Sequence, residues 1–100
     1  MKPHPLKLVT IVAEAVLEDR LLRDLQQLGV RGWTVSTARG KGSRGLRVSD
    51  WEGGNVRIEV LANEQVADKV LDLLAEQYFP AYAVVAWVEN VQVVRGEKYV

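Results

Sequence analysis

WTVSTARGKGSRGLRVSDWEGGNVRIEVL, running from Trp33 to Leu61, is the stretch that decides the fold. Its first residues alternate, with Trp33, Val35 and Thr37 set against Thr34 and Ser36. From Asn55 the alternation resumes, Val56, Ile58 and Val60 set against Arg57 and Glu59. A period of two predicts two half-buried strands. The residues between them, about 39–54, break both patterns. Within them, Arg39 to Arg47 holds four basic residues, three glycines and no acidic one. Two strands joined by such a connection read as a hairpin with a long loop, and connections of this length in compact domains are usually functional or disordered.

Outward from this hairpin, each side carries one helix and one strand. Upstream, Leu6 to Ala13 is a nearly continuous apolar run with Val9, Thr10, Ile11 and Val12, which predicts a central strand buried on both faces. Pro3 and Pro5 keep the residues before it extended, as a tail. Leu17, Leu21, Leu25 and Leu28 then recur at helical spacing, with Glu18 and Asp19 in the first turn and Gly29 as the C-terminal cap, so a helix is expected over 17–28. Downstream, Asn63 is a good N-cap for a second helix whose apolar face is Ala67, Val70, Leu71, Leu74 and Tyr78. Pro80 ends it. Residues 83–94 predict a last strand, apolar on both faces over its first half, and Arg95 to Val100 form a short tail.

The order is β-α-β-β-α-β. Right-handed crossovers put both helices on one face of a single antiparallel sheet, which is the α+β, ferredoxin-like arrangement. Its second sheet face is left uncovered. Because Val85 and Trp87 oppose Val84, Ala86 and Val88, both faces of the last strand are apolar, and an oligomer is expected to cover the open one.

The bulk composition narrows function. One hundred residues make one domain, residues 1–100, and 48% hydrophobic with 26% charged residues is the composition of a folded chain. Thirteen basic and thirteen acidic side chains leave a net charge of zero, without the broad basic footprint of a nucleic-acid binder or of a protein drawn to acidic membranes. The absence of cysteine excludes disulfides, thiol chemistry and cysteine metal sites. No apolar run is long enough for a signal peptide or a membrane span, so a cytoplasmic protein without membrane insertion is expected.

Against that neutral background, the Arg39–Arg47 segment is a candidate anion cradle. Glycines let backbone N–H groups approach an oxyanion, and Lys or Arg supplies charge. Other candidates carry less chemistry. His4, the only histidine, lies between two prolines and makes no metal site. Glu14, Glu18 and Asp19 read as surface groups complementing a helix dipole, not as a catalytic pair. Ser43 and Ser49 lack a base, and Gly40-Lys41-Gly42-Ser43 lacks the order and following helix of a phosphate-binding Walker loop, so no catalytic residue is assigned. Trp51, between Asp50 and Glu52 in a polar loop, is a candidate contact with a partner protein. Trp33 and Trp87 are expected in the core or in a subunit interface. Two other readings remain: a small phosphate-ester or nucleotide hydrolase on this fold, and a trimeric scaffold that binds no nucleotide.

Gly32-Trp33-Thr34-Val35 entering the second strand, Gly40-Lys41-Gly42 opening the loop, and the βαββαβ order together resemble the P-II signalling superfamily. The run Gly40 to Arg44 with Arg47, then Asn55 to Leu61, is similar to the P-II-like regulators of inorganic-carbon uptake, the bicarbonate-transporter-partner (SbtB) and carboxysome-associated branch. Tyr78-Phe79 and Tyr82-Ala83 fit the same branch. The resemblance covers Leu6 to Tyr99. It implies a homotrimer with an adenine nucleotide in each cleft between subunits and a long loop that reports its presence to a partner, a membrane transporter or carboxysome-related protein. By position, Gly40 and Gly42 would offer backbone contacts, Thr34 would lie beside the base, and Lys41, Ser43, Arg44 and Arg47 would meet phosphate oxygens. Bicarbonate is implied as a second ligand.

The departures from the P-II pattern are informative. Residues 39–54 hold no tyrosine for nucleotidylation. The connection before the last strand, Pro80-Ala81-Tyr82-Ala83, lacks the glycines and lysine that hold a triphosphate in the family. AMP, ADP or cyclic AMP is therefore expected over ATP.

Overall fold

A computed structural model describes residues 2–40 and 54–100. Four strands and two α-helices follow the expected order: β1 (His4–Glu14), α1 (Glu18–Gln27), β2 (Trp33–Ala38), β3 (Asn55–Ala62), α2 (Glu64–Gln77) and β4 (Val85–Val93). The sheet is antiparallel throughout, in the order β2-β3-β1-β4. The apolar run of β1 is indeed central, between β3 and β4.

Both helices pack on one face. There Val9, Ile11 and Ala13 of β1 and Val56, Ile58, Val60 and Ala62 of β3 meet Leu21 and Leu25 of α1 and Ala67, Val70 and Leu74 of α2. Burying one Leu, Ile or Val side chain contributes about 1.5–3 kcal/mol, so this layer is the main source of stability. Strict alternation in β3, buried at every second residue, fixes its register against β1, because a slip by one would turn Arg57 and Glu59 into the core.

The helix ends follow their sequence signals. Gly29 has φ +97°, and the Gly29 and Val30 amides donate to the carbonyls of Gln26 and Leu25 at 3.2 Å, closing α1 with a left-handed residue that favours glycine. Val30 is buried beside that cap. At the start of α2, the Asn63 side chain accepts from the Val66 amide at 2.8 Å.

Two expectations need correction. His4 is not in a tail: β1 begins there, His4 opposite Val93, with Nε2 3.5 Å from Glu97 Oε1. Pro5 is tolerated inside the strand because β3 reaches only to Lys7, leaving β4 as the single neighbour at that point. The last strand starts at Val85, not at residue 83, because the Ala83 and Val84 amides bond to the Glu14 side chain and the Tyr82 carbonyl. As expected of a strand with two apolar faces beside a single layer of helices, it keeps apolar residues uncovered in the single chain. Val85 and Trp87 are exposed on the face opposite the helices, and Val88 is exposed on the helix side of this edge strand. Trp33, on the opposite edge, is exposed in the single chain as well, so of the two places expected for it the core is not the one it takes.

The open face is the one anticipated. It carries Thr10, Arg57, Glu59, Thr34 and Trp87, on the strand positions that alternate with the core. Thr10 and Trp87 are direct neighbours, and the Arg57 guanidinium lies 5.4 Å from the Trp87 ring centroid. Thr10 is fully buried, and its hydroxyl oxygen has no hydrogen-bond partner among the described residues.

Candidate functional site at the base of residues 39–54

The basic, glycine-rich segment leaves and re-enters the sheet at one place. Ala38 pairs with Asn55, and Asn55 pairs on its other side with Glu14, so β2, β3 and β1 end side by side. Gly54 sits at this junction with φ +88°, its carbonyl accepting from the Ala15 amide at 3.0 Å. A side chain there would be strained by that backbone angle, although its Cβ would have room, meeting the Ala38 carbonyl at an ordinary 3.5 Å. Glycine is thus required where the segment rejoins β3.

A third piece of chain reaches the same end. The connection from α2 to β4 is held to β1 by Glu14, whose Oε2 accepts from the Ala83 amide at 3.0 Å. Glu14 is 7% exposed, which corrects its reading as a surface group. Among the described residues no Lys or Arg forms an ion pair with it. The remaining donors of this connection are also engaged: Phe79 with the Leu74 carbonyl, Ala81 and Tyr82 with Tyr78, and Val84 with Tyr82, over 2.8–3.1 Å. Pro80 has no donor to give.

A clamp of side chains fixes the connection against α1. Tyr78, fully buried, donates its hydroxyl to Asp24 Oδ2 at 2.5 Å. The Arg20 guanidinium lies 4.7 Å from the Tyr78 ring centroid and 5.6 Å from that of Tyr82, and donates to the Tyr82 hydroxyl at 3.1 Å. Burial, followed by the bond to Asp24, pushes the Tyr78 phenol well above its ordinary range. The α2–β4 connection is thus tied to α1 by side chains.

The candidate residues are distributed unevenly around this base. Gly40 follows the end of β2, exposed, with no atom of the described residues within 4 Å of where a side chain would begin. Thr34 is exposed on the open face, opposite Glu59 and about 13 Å along β2 from Ala38 at a strand rise of 3.3 Å per residue. It and Gly40 are not brought together within one subunit. Lys41, Gly42, Ser43, Arg44, Arg47 and Trp51 lie outside the described residues. Glu14 and the Arg20–Tyr78–Tyr82–Asp24 clamp were not singled out from the sequence as parts of this region. The one local signal for the clamp is the pair of i, i+4 spacings, Arg20 to Asp24 and Tyr78 to Tyr82.

The far end of the sheet holds a small groove of about 120 Å³, open to solvent, lined by Gly29, Arg31, Asn63, Val66, Tyr99 and Val100. It lies at the opposite end of β3 from Asn55 and shares no residue with the loop base. Among the described residues no group of three or more His, Cys, Asp or Glu side chains is placed to hold a metal ion, and no helix is long and apolar enough to cross a membrane.

A glycine-anchored basic segment on a βαββαβ sheet agrees with what comparison with known proteins finds. Residues 6–98 match the family described as nitrogen regulatory protein P-II. The chain belongs to the P-II family. Among solved structures, a PII-like protein from Thermus thermophilus is 55% identical over 100% of both chains, with a TM-score of 0.87. CPII from Thiomonas intermedia, bound to ADP and bicarbonate, is 28% identical over 98% of this chain and 97% of its own, with a TM-score of 0.84. The same CPII bound to ADP, AMP and acetate is 27% identical over 99% and 98%, with a TM-score of 0.85. Within the P-II family these relatives are the PII-like proteins, the branch to which the Gly40–Arg44 run points.

Proposed function

We propose that this P-II family chain is a non-enzymatic sensor of an adenine nucleotide, AMP, ADP or cyclic AMP, with bicarbonate as a second ligand. The nucleotide binds in clefts between the subunits of a homotrimer, each subunit being the single domain of residues 1–100. Gly40 and Gly42 contribute backbone N–H groups, Lys41, Ser43, Arg44 and Arg47 hold phosphate oxygens, and Thr34 lies beside the base. Binding changes the affinity of segment 39–54, with Trp51 as a contact, for a partner protein. The partner is a membrane transporter or carboxysome-related protein of inorganic-carbon metabolism, and the sensor works in the cytoplasm.

The observation that carries this reading is the loop base. Four basic residues and three glycines follow a junction held by β1, β3 and the α2–β4 connection. A planar guanidinium bonds two phosphate oxygens at once, which suits this composition to a nucleotide. The CPII structures with ADP and with ADP plus bicarbonate or AMP support the choice of ligands for this chain. The trimer is supported by the uncovered sheet face, where Trp87 and Val85 are exposed. Such a face on a two-helix layer calls for a second layer.

Thr34 and Gly40 are too far apart along the extended chain of β2 to share one nucleotide within a subunit, which favours a site between neighbours. Isothermal titration with AMP, ADP, ATP and cyclic AMP, each with and without bicarbonate, tests the reading. Saturable binding of at least one nucleotide is expected, strengthened by bicarbonate. No heat with any of them at millimolar concentration overturns it.

A further inference from the structure

We propose that a second copy of this chain recognises the open sheet face through Arg57, by charge and hydrogen bonding, and not by apolar contact alone. The inference rests on the subunit assembly proposed above and adds the group that selects the partner. One row of residues crosses the face from edge to edge. Thr34 on β2 pairs with Glu59 on β3, Glu59 with Thr10 on β1, and Thr10 with Trp87 on β4. Arg57, two residues before Glu59 on β3, reaches across β1 towards Trp87. Its guanidinium lies 5.4 Å from the Trp87 ring centroid, with Nη2 3.6 Å from Glu59 Oε2. Trp87 in turn donates its indole N–H to Glu89 Oε1 at 3.1 Å. One cation thus rests on an aromatic plate between two carboxylates.

Arg57 is incompletely bonded in the single chain. A guanidinium carries several N–H donors in a planar fork, and at 3.6 Å the Glu59 contact is an ion pair without a hydrogen bond. Among the described residues Arg57 meets no other acceptor, and its side chain is 42% exposed. The Trp87 ring holds the guanidinium in place, so little side-chain freedom is lost when a partner arrives. Arg and Trp are also the residues that most often dominate the energy of an interface. Charge decides the occupant. The cluster carries both signs, so a rotated copy can set Glu59 or Glu89 against Arg57. The helix side cannot do this: Glu64, Asp68, Asp72 and Glu76, all exposed and four residues apart, run along α2 as a line of one sign that repels its copy. Self-association is therefore directed to the sheet.

Arg57→Leu separates this recognition from a purely apolar one, because it removes the charge and the donors while adding apolar surface. Sedimentation velocity of the nucleotide-free protein over a concentration series tests the proposal. In the wild type, the concentration at half dissociation is expected to rise as sodium chloride is raised to about 0.5 M. In Arg57→Leu it should lie at least about tenfold higher than in the wild type at low salt, and lose that salt dependence. Arg57→Lys, which keeps the charge without the planar fork, should fall between the two. Assembly of Arg57→Leu as tight as the wild type or tighter overturns the proposal, since an apolar group in place of a merely buried charge is neutral or stabilising. Wild-type assembly that strengthens with salt overturns it too. If Arg57→Leu loses its native circular dichroism, Arg57→Lys decides, and assembly equal to wild type at every salt concentration overturns the proposal. A wild type that stays a single chain at every concentration shows instead that the assembly reading fails.

Discussion

The Tyr78 hydroxyl donates to Asp24 Oδ2 at 2.5 Å, joining the end of α2 to α1 across 54 residues of sequence. The phenol is fully buried, while Asp24 is only partly so. A hydrogen bond to a charged acceptor contributes about 1.5–3 kcal/mol, and partial solvation of the acceptor puts this one at the lower end.

Tyr78→Phe is therefore expected to lower stability by about 1–2 kcal/mol, read as a shifted urea midpoint at unchanged slope. Its pH signature is specific. Burial and then the Asp24 bond raise the Tyr78 pKa above its unfolded value, so the folded chain holds this proton more tightly. The stabilisation is complete below about pH 10 and declines as pH rises beyond it. Tyr78→Phe should remove that alkaline decline, and an identical slope in both proteins would show that Tyr78 does not cause it.

Asn63 tests a purely local contribution. Its side chain takes one of the unpaired amides at the start of α2, that of Val66. Asn63→Ala should cost about 1 kcal/mol by thermal or urea denaturation, while Asn63→Asp, which keeps the acceptor, stays close to wild type.

The contrast between these two residues shows what the sequence makes legible. Asn63, Gly29 and the alternation of β3 act on their own neighbours, so their effects can be read along the chain. Thus the βαββαβ order, the helix caps and the open face were all accessible. Glu14 was not, because its partner Ala83 lies 69 residues away and a backbone amide leaves no mark in side-chain pattern. His4 between two prolines looked like a tail for a similar reason: local chemistry disfavours a strand there, and only the one-sided pairing with β4 permits it. Near the candidate site, the basic, glycine-rich composition of residues 39–47 is plain in the sequence, while the Glu14 carboxylate and the engaged amides of the α2–β4 connection are not.

Trp87 tests the proposed trimer. It is exposed on the open face, directly beside Thr10, with its indole N–H donating to Glu89 at 3.1 Å. Aspartate at this position would put a charge on the apolar surface and beside an existing carboxylate, a change expected to disfavour any burial of that face. Light scattering on the wild type should give three times the 11.2 kDa chain mass. In Trp87→Asp the mass should fall towards that of one chain at micromolar concentration. A trimer equally stable in both proteins would move the interface elsewhere.

Arg44 and Arg47 test the phosphate grip. Each is proposed to bond phosphate oxygens with a charged, planar donor set, an interaction that contributes about 1.5–3 kcal/mol. Arg44→Ala or Arg47→Ala should therefore weaken AMP or ADP binding by about 10- to 100-fold in calorimetric titration. Lysine should recover part of the loss, since it restores charge but not the two-pronged geometry. Because the packed layer between sheet and helices is built from residues on either side of segment 39–54, the melting temperature without ligand should stay unchanged. Arg31→Ala, at the groove on the far end of the sheet, is the matched control and should leave affinity unaltered. Equal affinities for wild type and both alanine variants would remove these arginines from the site.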